Sequence, residues 1–345
     1  MIKNEKRFCG LGRTKGGFAL IEVKHLTKRY GDHTAVSDLS FTIQKGQIYG
    51  FLGPNGAGKS TTMNIMTGCL AATAGEVKIG GYDIFEEAEQ AKKLIGYLPE
   101  QPPLYLDRTP REYLRFVAEA KKIPANQIQK QIESVMQVTQ ITDVADRLIK
   151  NLSKGYKQRV GIAQAILGDP EIIILDEPTV GLDPRQIIEI RDLIQSLGEE
   201  HTVILSSHIL SEVQSVCQTI LIISGGKLVA CDSPENLERL FAGTATVELV
   251  TDAGTEQLQE ILAGVAHVAS VDVQPHANGT SAVRLEMDVP ASDQICREIF
   301  FAFSNARQAI LQMSMAKVSL EDIFIELTEN DVDLTVQSQE GGEQG

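Results

Sequence analysis

The chain has 345 residues, of which 43% are hydrophobic and 23% charged, and its formal net charge is −14. This length suits about two domains, and the composition is that of an ordinary globular protein with a sizeable core. The five cysteines are scattered and form no Cys-x-x-Cys pair, which favours reduced thiols over a disulfide framework. No apolar run reaches about 18 residues, so no transmembrane helix is predicted and any membrane span has to come from another chain.

The negative charge is concentrated towards the C-terminus. From Gly243 onward there are 17 acidic and 4 basic side chains, against 29 acidic and 28 basic ones in the rest of the chain. Such an acidic region does not attract phosphate backbones, so no nucleic-acid binding is expected. Residues 1–19 are basic and contain several glycines but no apolar signal segment, which predicts a disordered leader. A translation start placed too far upstream gives the same pattern.

The chain from Leu20 to residue 242 alternates short β-rich runs with helical ones, which predicts an α/β domain with a mostly parallel sheet. Its clearest elements are strands at Ile48–Leu52, Glu171–Asp176 and Thr202–Ser206, and a helix at Lys59–Gly68. From about residue 107 to residue 168 the helical pattern dominates, which indicates a helical subdomain inserted into the sheet domain.

A different pattern begins at residue 243. The predicted strands are Thr246–Val250, Val268–Val273 and Ala282–Met287, and the predicted helices are Glu256–Leu262, Asp293–Phe303 and Val318–Thr328. They predict a small α+β accessory domain over residues 243–328. Residues 329–345 are acidic and then rich in Gln and Gly, which is typical of a disordered tail.

The most informative motif is Gly-Pro-Asn-Gly-Ala-Gly-Lys-Ser at residues 53–60, which fits the P-loop pattern between a predicted strand and a predicted helix. Glycines let backbone N–H groups wrap around phosphate oxygens, and the helix start adds its positive dipole end. Lys59 brings a charge to the β- and γ-phosphates, and Ser60 offers a hydroxyl to Mg²⁺. The predicted nucleotide-binding residues are Gly53, Pro54, Asn55, Gly56, Ala57, Gly58, Lys59, Ser60 and Thr61.

A second motif is the apolar run Ile172–Leu175 followed by Asp176 and Glu177. A buried strand aims Asp176 at a metal ion, so Asp176 joins Ser60 as a predicted Mg²⁺ ligand. Glu177 follows the strand end, where a carboxylate orients or deprotonates an attacking water, and it is the predicted catalytic residue. Acidic pairs also occur at ordinary exposed strand ends, but downstream of a P-loop the catalytic interpretation is favoured.

Residues 152–159 read Leu-Ser-Lys-Gly-Tyr-Lys-Gln-Arg, and together with the motifs above they closely resemble the ATP-binding cassette (ABC) family. This segment looks like the family signature, usually LSGGQ, with Lys154 replacing a glycine and Tyr156 replacing the glutamine. In the family, two nucleotide-binding domains dimerise head to tail, and each signature closes over the nucleotide on the other's P-loop. The resemblance implies that Ser153 and the Gly155 backbone N–H form this second phosphate-binding surface.

Four further positions match the family. Tyr30 matches the aromatic residue that stacks on adenine, and Gln101 matches the glutamine that contacts Mg²⁺ and senses the helical subdomain. Asp183 matches the D-loop at the dimer seam, and His208 matches the switch histidine that contacts the γ-phosphate. The plainer alternatives are a strand-end tyrosine, a loop glutamine, an Asp-Pro helix start and a structural histidine.

The resemblance implies a P-loop NTPase of the ABC type that hydrolyses ATP with Mg²⁺ and powers a membrane transporter. The expected partners are a second copy of the chain and an integral membrane permease on a separate chain, at the cytoplasmic face of the cell membrane. Residues 152–184 and 319–324 resemble ATPases paired with ABC-2 permeases, which are mostly exporters and include gliding-motility-associated cassettes. The apolar loop Gln101–Leu106 is a candidate docking patch for the permease, with ordinary loop packing as the alternative.

Two alternatives come from non-transport members of the family. ABC ATPases that act on DNA typically carry coiled-coil or zinc insertions between the motifs, and this chain has neither. Its acidity also argues against DNA. Translation factors of the class resemble two fused cassettes, and here a single cassette is present.

Overall fold

The computed structural model describes residues 19–241, 246–276, 279–289, 292–316 and 320–329. The predicted leader, apart from Ala19, and the predicted tail beyond Glu329 lie outside these residues. The described chain forms two compact units. The first extends to Pro234 and includes Glu326–Glu329, and the second is Glu235–Ile325.

The first unit combines ten described strands with seven α-helices. The strands are β1 (Ala19–Tyr30), β2 (His33–Gln44), β3 (Ile48–Leu52), β4 (Ala74–Ile79), β5 (Tyr82–Asp83), β6 (Ile95–Leu98), β7 (Ile172–Leu175), β8 (Thr202–Ser207), β9 (Thr219–Ser224) and β10 (Lys227–Asp232). The helices are α1 (Lys59–Met66), α2 (Ala88–Lys93), α3 (Pro110–Ala120), α4 (Ala125–Val138), α5 (Lys154–Ile166), α6 (Pro184–Gly198) and α7 (Leu210–Val216), with 3-10 turns at Thr142–Val144 and Ile149–Asn151.

The central sheet of this unit has the strand order β10-β9-β3-β8-β7-β6. Strands β9, β3, β8, β7 and β6 are parallel, and only the edge strand β10 is antiparallel. Every residue of β3, β7 and β8 is buried, as expected for strands covered on both faces. The predicted parallel α/β sheet is confirmed, and it places the carboxyl ends of β3, β7 and β8 at one edge.

A second sheet, with the order β2-β1-β4-β5, is antiparallel, and sequence reasoning did not predict it. Its long strands β1 and β2 form a hairpin that turns between Tyr30 and His33. Both sheets contribute to one apolar core, in which the rings of Phe41 and Phe51 meet edge to face with their centroids 5.3 Å apart. The hairpin therefore holds the Tyr30 end of β1 on a rigid support.

The helical segment contains α3, α4 and α5. Thr109 begins α3 with a capping box, because its hydroxyl accepts from the Glu112 N–H while the Glu112 side chain accepts from the Thr109 N–H. Across the helices, the Tyr113 hydroxyl donates to the Gln164 side chain at 3.0 Å. Lys121, just after α3, donates to the carbonyls of Gln164, Ala165 and Leu167 at the C-terminal end of α5. These bonds join α5, the helix that begins in the signature, to α3.

The second unit is a βαββαβ arrangement, the split-βαβ motif. Its elements are α8 (Pro234–Phe241), β11 (Thr246–Thr251), α9 (Thr255–Leu262), β12 (Val268–Pro275), β13 (Ser281–Met287), α10 (Asp293–Asn305), β14 (Ile310–Ala316) and α11 (Leu320–Glu329), with α8 and α11 crossing its limits. The sheet order is β12-β13-β11-β14, and a core that includes Leu249, Leu285 and Phe303 lies between the sheet and the helices α9 and α10. Helix α8 and strand β14 are the elements that sequence reasoning missed. No helix in the described part of either unit is long and apolar enough to cross a membrane.

Candidate functional site

The P-loop connects β3 to α1 in a backbone conformation that needs glycine. Gly56 and Gly58 adopt φ angles of 82° and 103°, in the region that L-residues avoid. At Gly58, a Cβ atom would also lie 2.6 Å from the carbonyl oxygen of Ala35, so no larger residue fits there. Because Gly58 is the N-cap residue of α1, the loop delivers its backbone to the positive end of that helix.

Lys59 is buried at the first position of α1. Its ammonium group donates to the carbonyls of Gly53 and Pro54 at 2.8 and 3.2 Å, and it lies 3.6 Å from the Glu177 carboxylate. The cation is therefore held over the loop by the two residues that begin it. A bound γ-phosphate in this loop would compete for the same ammonium hydrogens.

Asp176 lies at the carboxyl end of β7, facing the start of α1. Its Oδ1 atom accepts a hydrogen bond from the Ser60 hydroxyl at 3.1 Å and another from the Ser206 hydroxyl at 2.6 Å. Two hard oxygen donors, one carboxylate and one hydroxyl, thus meet where nucleotide phosphates would add further oxygens. This donor chemistry fits Mg²⁺, which keeps several ligands from substrate and water.

Glu177 is buried and follows Asp176 with a φ angle of 49°, a left-handed conformation that is uncommon for a residue with a side chain. The strain is held in place by Ser206, whose hydroxyl accepts from the Glu177 N–H at 2.8 Å. The carboxylate lies between two groups, with Oε1 near Lys59 and Oε2 3.0 Å from Nδ1 of His208. The fold therefore aims this side chain at the P-loop instead of leaving it on an ordinary strand end.

Lys59, Ser60, Glu177 and His208 line a cavity of about 440 Å³. Tyr30 lies at its rim, half exposed, with the Lys28 ammonium 5.1 Å from its ring centroid. The remaining lining residues are His33, Ala35, Asn55, Gly56, Ala57, Gly58, Lys59, Ser60, Thr61, Glu100, Glu177, Val180 and His208. Most of the predicted nucleotide-binding residues are thus brought together around one cleft.

Seven predicted site residues are not part of this lining. Gly53, Pro54 and Asp176 lie next to it, since they bond to Lys59 and Ser60, and the other four are Gln101, Ser153, Gly155 and Asp183. Gln101 is exposed, and its neighbour Glu100 lines the cleft in its place. Ser153 caps α5 by accepting from the Tyr156 N–H at 3.3 Å, and Gly155 packs against the side chain of Gln186. Asp183 caps α6 by accepting from the Gln186 N–H at 2.9 Å, which is the Asp-Pro helix start. Their roles at a nucleotide site remain predictions.

The two signature positions that depart from the family pattern have defined surroundings. The Lys154 ammonium covers Gly181, where a Cβ atom would collide with it, so this lysine packs on the D-loop turn. The Tyr156 hydroxyl donates to the Asp143 carboxylate at 2.8 Å, and this bond raises the pKa of Tyr156. Lys154 thus links the start of α5 to the turn at Gly181, and Tyr156 links it to Asp143.

Sequence reasoning missed the hydroxyl groups that support the acidic residues. Ser206 and Ser207 end β8 immediately before His208, and Thr179 follows Glu177 by two positions. A buried carboxylate, Glu212, accepts from both Thr179 and Ser207. No local spacing signals Glu212, because His208 lies before α7 and only the fold brings Glu212 to Thr179 and Ser207.

A phosphate loop at the end of the parallel strand β3, a buried lysine and a carboxylate pair at the end of β7 define a nucleoside-triphosphate hydrolase of the P-loop class. Comparison with known proteins identifies the family. Residues 36–180 match the family model described as ABC transporter.

The linearmycin resistance ATP-binding protein of Bacillus subtilis (strain 168) is 30% identical over 312 residues, covering 90% of this chain and 98% of that protein. The bacitracin transport ATP-binding protein of Bacillus licheniformis is 33% identical over 310 residues, covering 89% and 97% respectively. A solved structure of the ATP-binding subunit of an ABC transporter superposes with a TM-score of 0.59 at 30% identity, covering 64% of this chain and 93% of that one.

The chain therefore belongs to the ABC transporter ATP-binding proteins, and it is an ATP-binding and ATP-hydrolysing subunit of such a transporter. Both of these relatives are transport or resistance ATP-binding proteins. The alternatives of an ABC ATPase that acts on DNA or on ribosomes are thereby set aside.

Proposed function

We propose that two copies of this chain form a head-to-tail dimer that hydrolyses two ATP molecules and drives an export permease of the ABC-2 type, carried on a separate chain. The observation that carries the proposal is the cluster of Lys59, Glu177 and His208 on a cleft that the signature residues of the same chain do not line. A second copy supplies those residues, Ser153 and the Gly155 N–H, to the γ-phosphate.

The reaction transfers the γ-phosphoryl group of ATP to water. The water oxygen bonds to the γ-phosphorus, the bond from that phosphorus to the β–γ bridging oxygen breaks, and ADP and phosphate leave. Glu177 accepts the water proton at a carboxylate oxygen, and His208 fixes this side chain through the 3.0 Å contact between its Nδ1 and Oε2. Lys59 and the loop N–H groups stabilise the negative charge of the transferred group.

Mg²⁺ would be held by Ser60 and Asp176, with Gln101 as a further predicted ligand. The metal neutralises negative charge on the phosphate oxygens when it is bound. Ser206 keeps the Asp176 carboxylate oriented, because its hydroxyl donates to Oδ1 at 2.6 Å while also holding the Glu177 backbone. Ser206 thus supports both the predicted metal ligand Asp176 and the proposed catalytic residue Glu177.

Export and the ABC-2 class are supported by the roles for which the relatives are named, which are bacitracin transport and linearmycin resistance. We place the subunit on the cytoplasmic face of the membrane, beside its permease. The similarity to gliding-motility-associated cassettes remains a prediction from residues 152–184 and 319–324.

The permease is proposed to dock on an exposed aromatic patch that lies just after Gln101. Tyr105 and Phe116 are each about half exposed, at 46% and 48%, with their ring centroids 5.1 Å apart, and Leu106 beside them is 51% exposed. Tyr105 also packs on the buried Tyr113, so the loop is partly anchored while it presents its apolar groups. Apolar side chains that remain exposed in this way are typical of a protein contact.

The proposal is tested with the Glu177→Gln variant. Removing the proton acceptor is expected to lower kcat by about 100-fold or more while ATP still binds, so the dimer accumulates with ATP and Mg²⁺. Size-exclusion chromatography with light scattering measures the dimer, and phosphate release measures turnover. The matched control is Glu171→Gln, an exposed glutamate before the other end of β7 that pairs with Lys45. Wild-type turnover in Glu177→Gln, or a monomer at saturating ATP, contradicts the proposal.

A further inference from the structure

Glu212 is a buried carboxylate, 7% exposed, on the first turn of α7. Its Oε2 atom accepts two hydrogen bonds, one from the Thr179 hydroxyl at 2.7 Å and one from the Ser207 hydroxyl at 2.9 Å. Burying an acidic side chain costs free energy unless hydrogen bonds compensate for the lost water. Both donors are fully used here, since each hydroxyl has one hydrogen to give.

The two hydroxyls belong to different loops of the site. Thr179 follows Glu177 by two residues and begins the turn that continues through Gly181, closed by a hydrogen bond from the Leu182 N–H to the Thr179 carbonyl at 3.2 Å. Ser207 immediately precedes His208 and also accepts from the Ile209 N–H at 3.0 Å. Glu212 therefore bridges the loop after β7 to the loop after β8.

A second bridge between the same loops is the contact between Glu177 and His208 at 3.0 Å. Together the two bridges close a circuit that runs from Glu177 to His208, through Ser207 to Glu212 and back through Thr179. Two connections between a pair of loops restrict their relative rotation as well as their separation. Hydrogen bonds to a carboxylate are shorter and stronger than neutral ones, so this bridge is a stiff one.

We propose that Glu212 is a positioning residue for ATP hydrolysis, which holds the Glu177 loop and the His208 loop in register through Thr179 and Ser207. Because the Thr179 turn leads directly into the D-loop residues Gly181 and Asp183, the same bridge links that loop to the switch histidine. The inference rests on the proposed roles of Glu177 and His208. Glu212 itself does not line the cavity, and its hydrogen bonds go to Thr179 and Ser207.

The experiment measures kcat, KM for ATP, and Tm for Thr179→Val, Ser207→Ala and Glu212→Gln. Losing one charge-assisted hydrogen bond is expected to lower kcat by about 10-fold in the first two variants, with KM and ATP affinity within about twofold. Glu212→Gln keeps the shape and one acceptor oxygen, so its loss is expected to be smaller, about threefold. The matched control is Thr139→Val, which removes a buried hydroxyl bonded to the Val135 carbonyl in the helical segment.

A double-mutant cycle tests the bridge itself. If Thr179 acts through Glu212, Thr179→Val lowers kcat by less than about twofold further in a Glu212→Ala background. If the effects of Thr179→Val and Glu212→Ala on kcat are fully additive in free energy, that result overturns the inference. So does a fall in kcat that only accompanies a fall in Tm, as measured in parallel on Thr139→Val.

Glu177→Gln is assayed beside these variants to separate the two proposals. Wild-type turnover in Glu177→Gln means that the proposed catalytic site is wrong. An inactive Glu177→Gln with wild-type kcat in Thr179→Val and Ser207→Ala means that only the positioning role of Glu212 is wrong.

Discussion

Two helix starts in this molecule are assigned to phosphate, and they differ in how much of the chain supports them. At the start of α1, Lys59 is buried and Ser60 bonds to Asp176 on a neighbouring strand. At the start of α5, Ser153 and Lys154 are exposed and bond or pack only within their immediate surroundings. The first half of the site is built into the sheet, whereas the proposed second half has Ser153 exposed and Gly155 buried against the Gln186 side chain.

This difference suggests different functions for the N-termini of α1 and α5. The buried Lys59 and the glycine-rich loop are fixed by strands β3 and β7, so we expect them to bind phosphate without a second chain. The start of α5 has Ser153 and Lys154 exposed and no acidic residue in its first turn, so its dipole is proposed to act on a phosphate bound to another chain. The comparison therefore predicts that damage to α1 prevents ATP binding, while damage to α5 leaves binding intact and blocks hydrolysis of the bound ATP.

The sharpest test of that comparison is Gly155→Asp, set against Lys59→Met. Gly155→Asp adds a negative charge to the start of α5, where Ser153 and Lys154 are exposed and Gly155 is buried, so ATP still binds one chain with affinity within about threefold, while turnover falls by about 100-fold. Lys59→Met should instead weaken ATP binding by about 30-fold or more, because the buried cation is removed. Binding of a fluorescent ATP analogue and phosphate release measure the two effects.

The control for steric disturbance is Gly155→Ala, whose Cβ atom would lie 2.8 Å from the flexible Gln186 side chain. If Gly155→Asp weakened ATP binding as severely as Lys59→Met, the division of labour between the helix starts would be wrong.

Most of the P-loop half could be predicted from the sequence because its chemistry is local. The P-loop, Asp176 and Glu177 each lie at the end of an apolar strand, and parallel strands bring their carboxyl ends to one edge. The supporting hydroxyls of Thr179, Ser206 and Ser207 were not predicted, since serine and threonine are common. Ser206 finds its partners only through the pairing of β7 with β8, and Thr179 and Ser207 find theirs only where the fold brings in Glu212 from α7.

Some elements of the fold were also not predicted, because their sequence pattern is irregular. The buried parallel strands have short apolar runs that are readily recognised, but β14 was missed. Its sequence, Ile-Leu-Gln-Met-Ser-Met-Ala, places exposed Leu311 beside a register shift against β11, so its alternation is broken. The antiparallel sheet was missed for a related reason, because β1 contains several register shifts that interrupt its period of two.

A smaller effect is expected at the other end of α5. Lys121 is an exposed residue as a whole, but its ammonium reaches three carbonyls at the helix end, and burial there lowers the pKa of Lys121 to about 8. Lys121→Met should lower the free energy of unfolding by about 1 kcal/mol at pH 7, a value discounted for exposure. ATP binding should be unchanged, since α1 does not depend on this contact.

The lowered pKa of Lys121 determines how the free energy of unfolding depends on pH. The folded-state pKa lies below the ordinary lysine value, so between pH 8 and about 10.5 the unfolded chain binds more protons than the folded one. Wild-type stability should therefore rise with pH in this window relative to Lys121→Met. Urea unfolding at pH 7.5, 8.5 and 9.5 measures the difference, with Lys122→Met as the control for an exposed lysine paired with Glu89. An identical pH slope in wild type and Lys121→Met would contradict the assignment.

The smallest expected effect concerns Tyr156, which replaces the glutamine of the family signature. Its hydroxyl donates to Asp143 at 2.8 Å in an exposed setting, so Tyr156→Phe should cost about 0.5 kcal/mol of stability or less and change turnover less than twofold. Asp143→Ala should have the same small effect, and the double variant should add nothing further. Urea unfolding and phosphate release measure both quantities. A tenfold loss of turnover in Tyr156→Phe at unchanged stability would instead mean that this hydroxyl faces the partner's nucleotide, because a bond within the chain acts first on stability. Tyr156 would then be a third phosphate-binding group at the start of α5, beside Ser153 and Gly155.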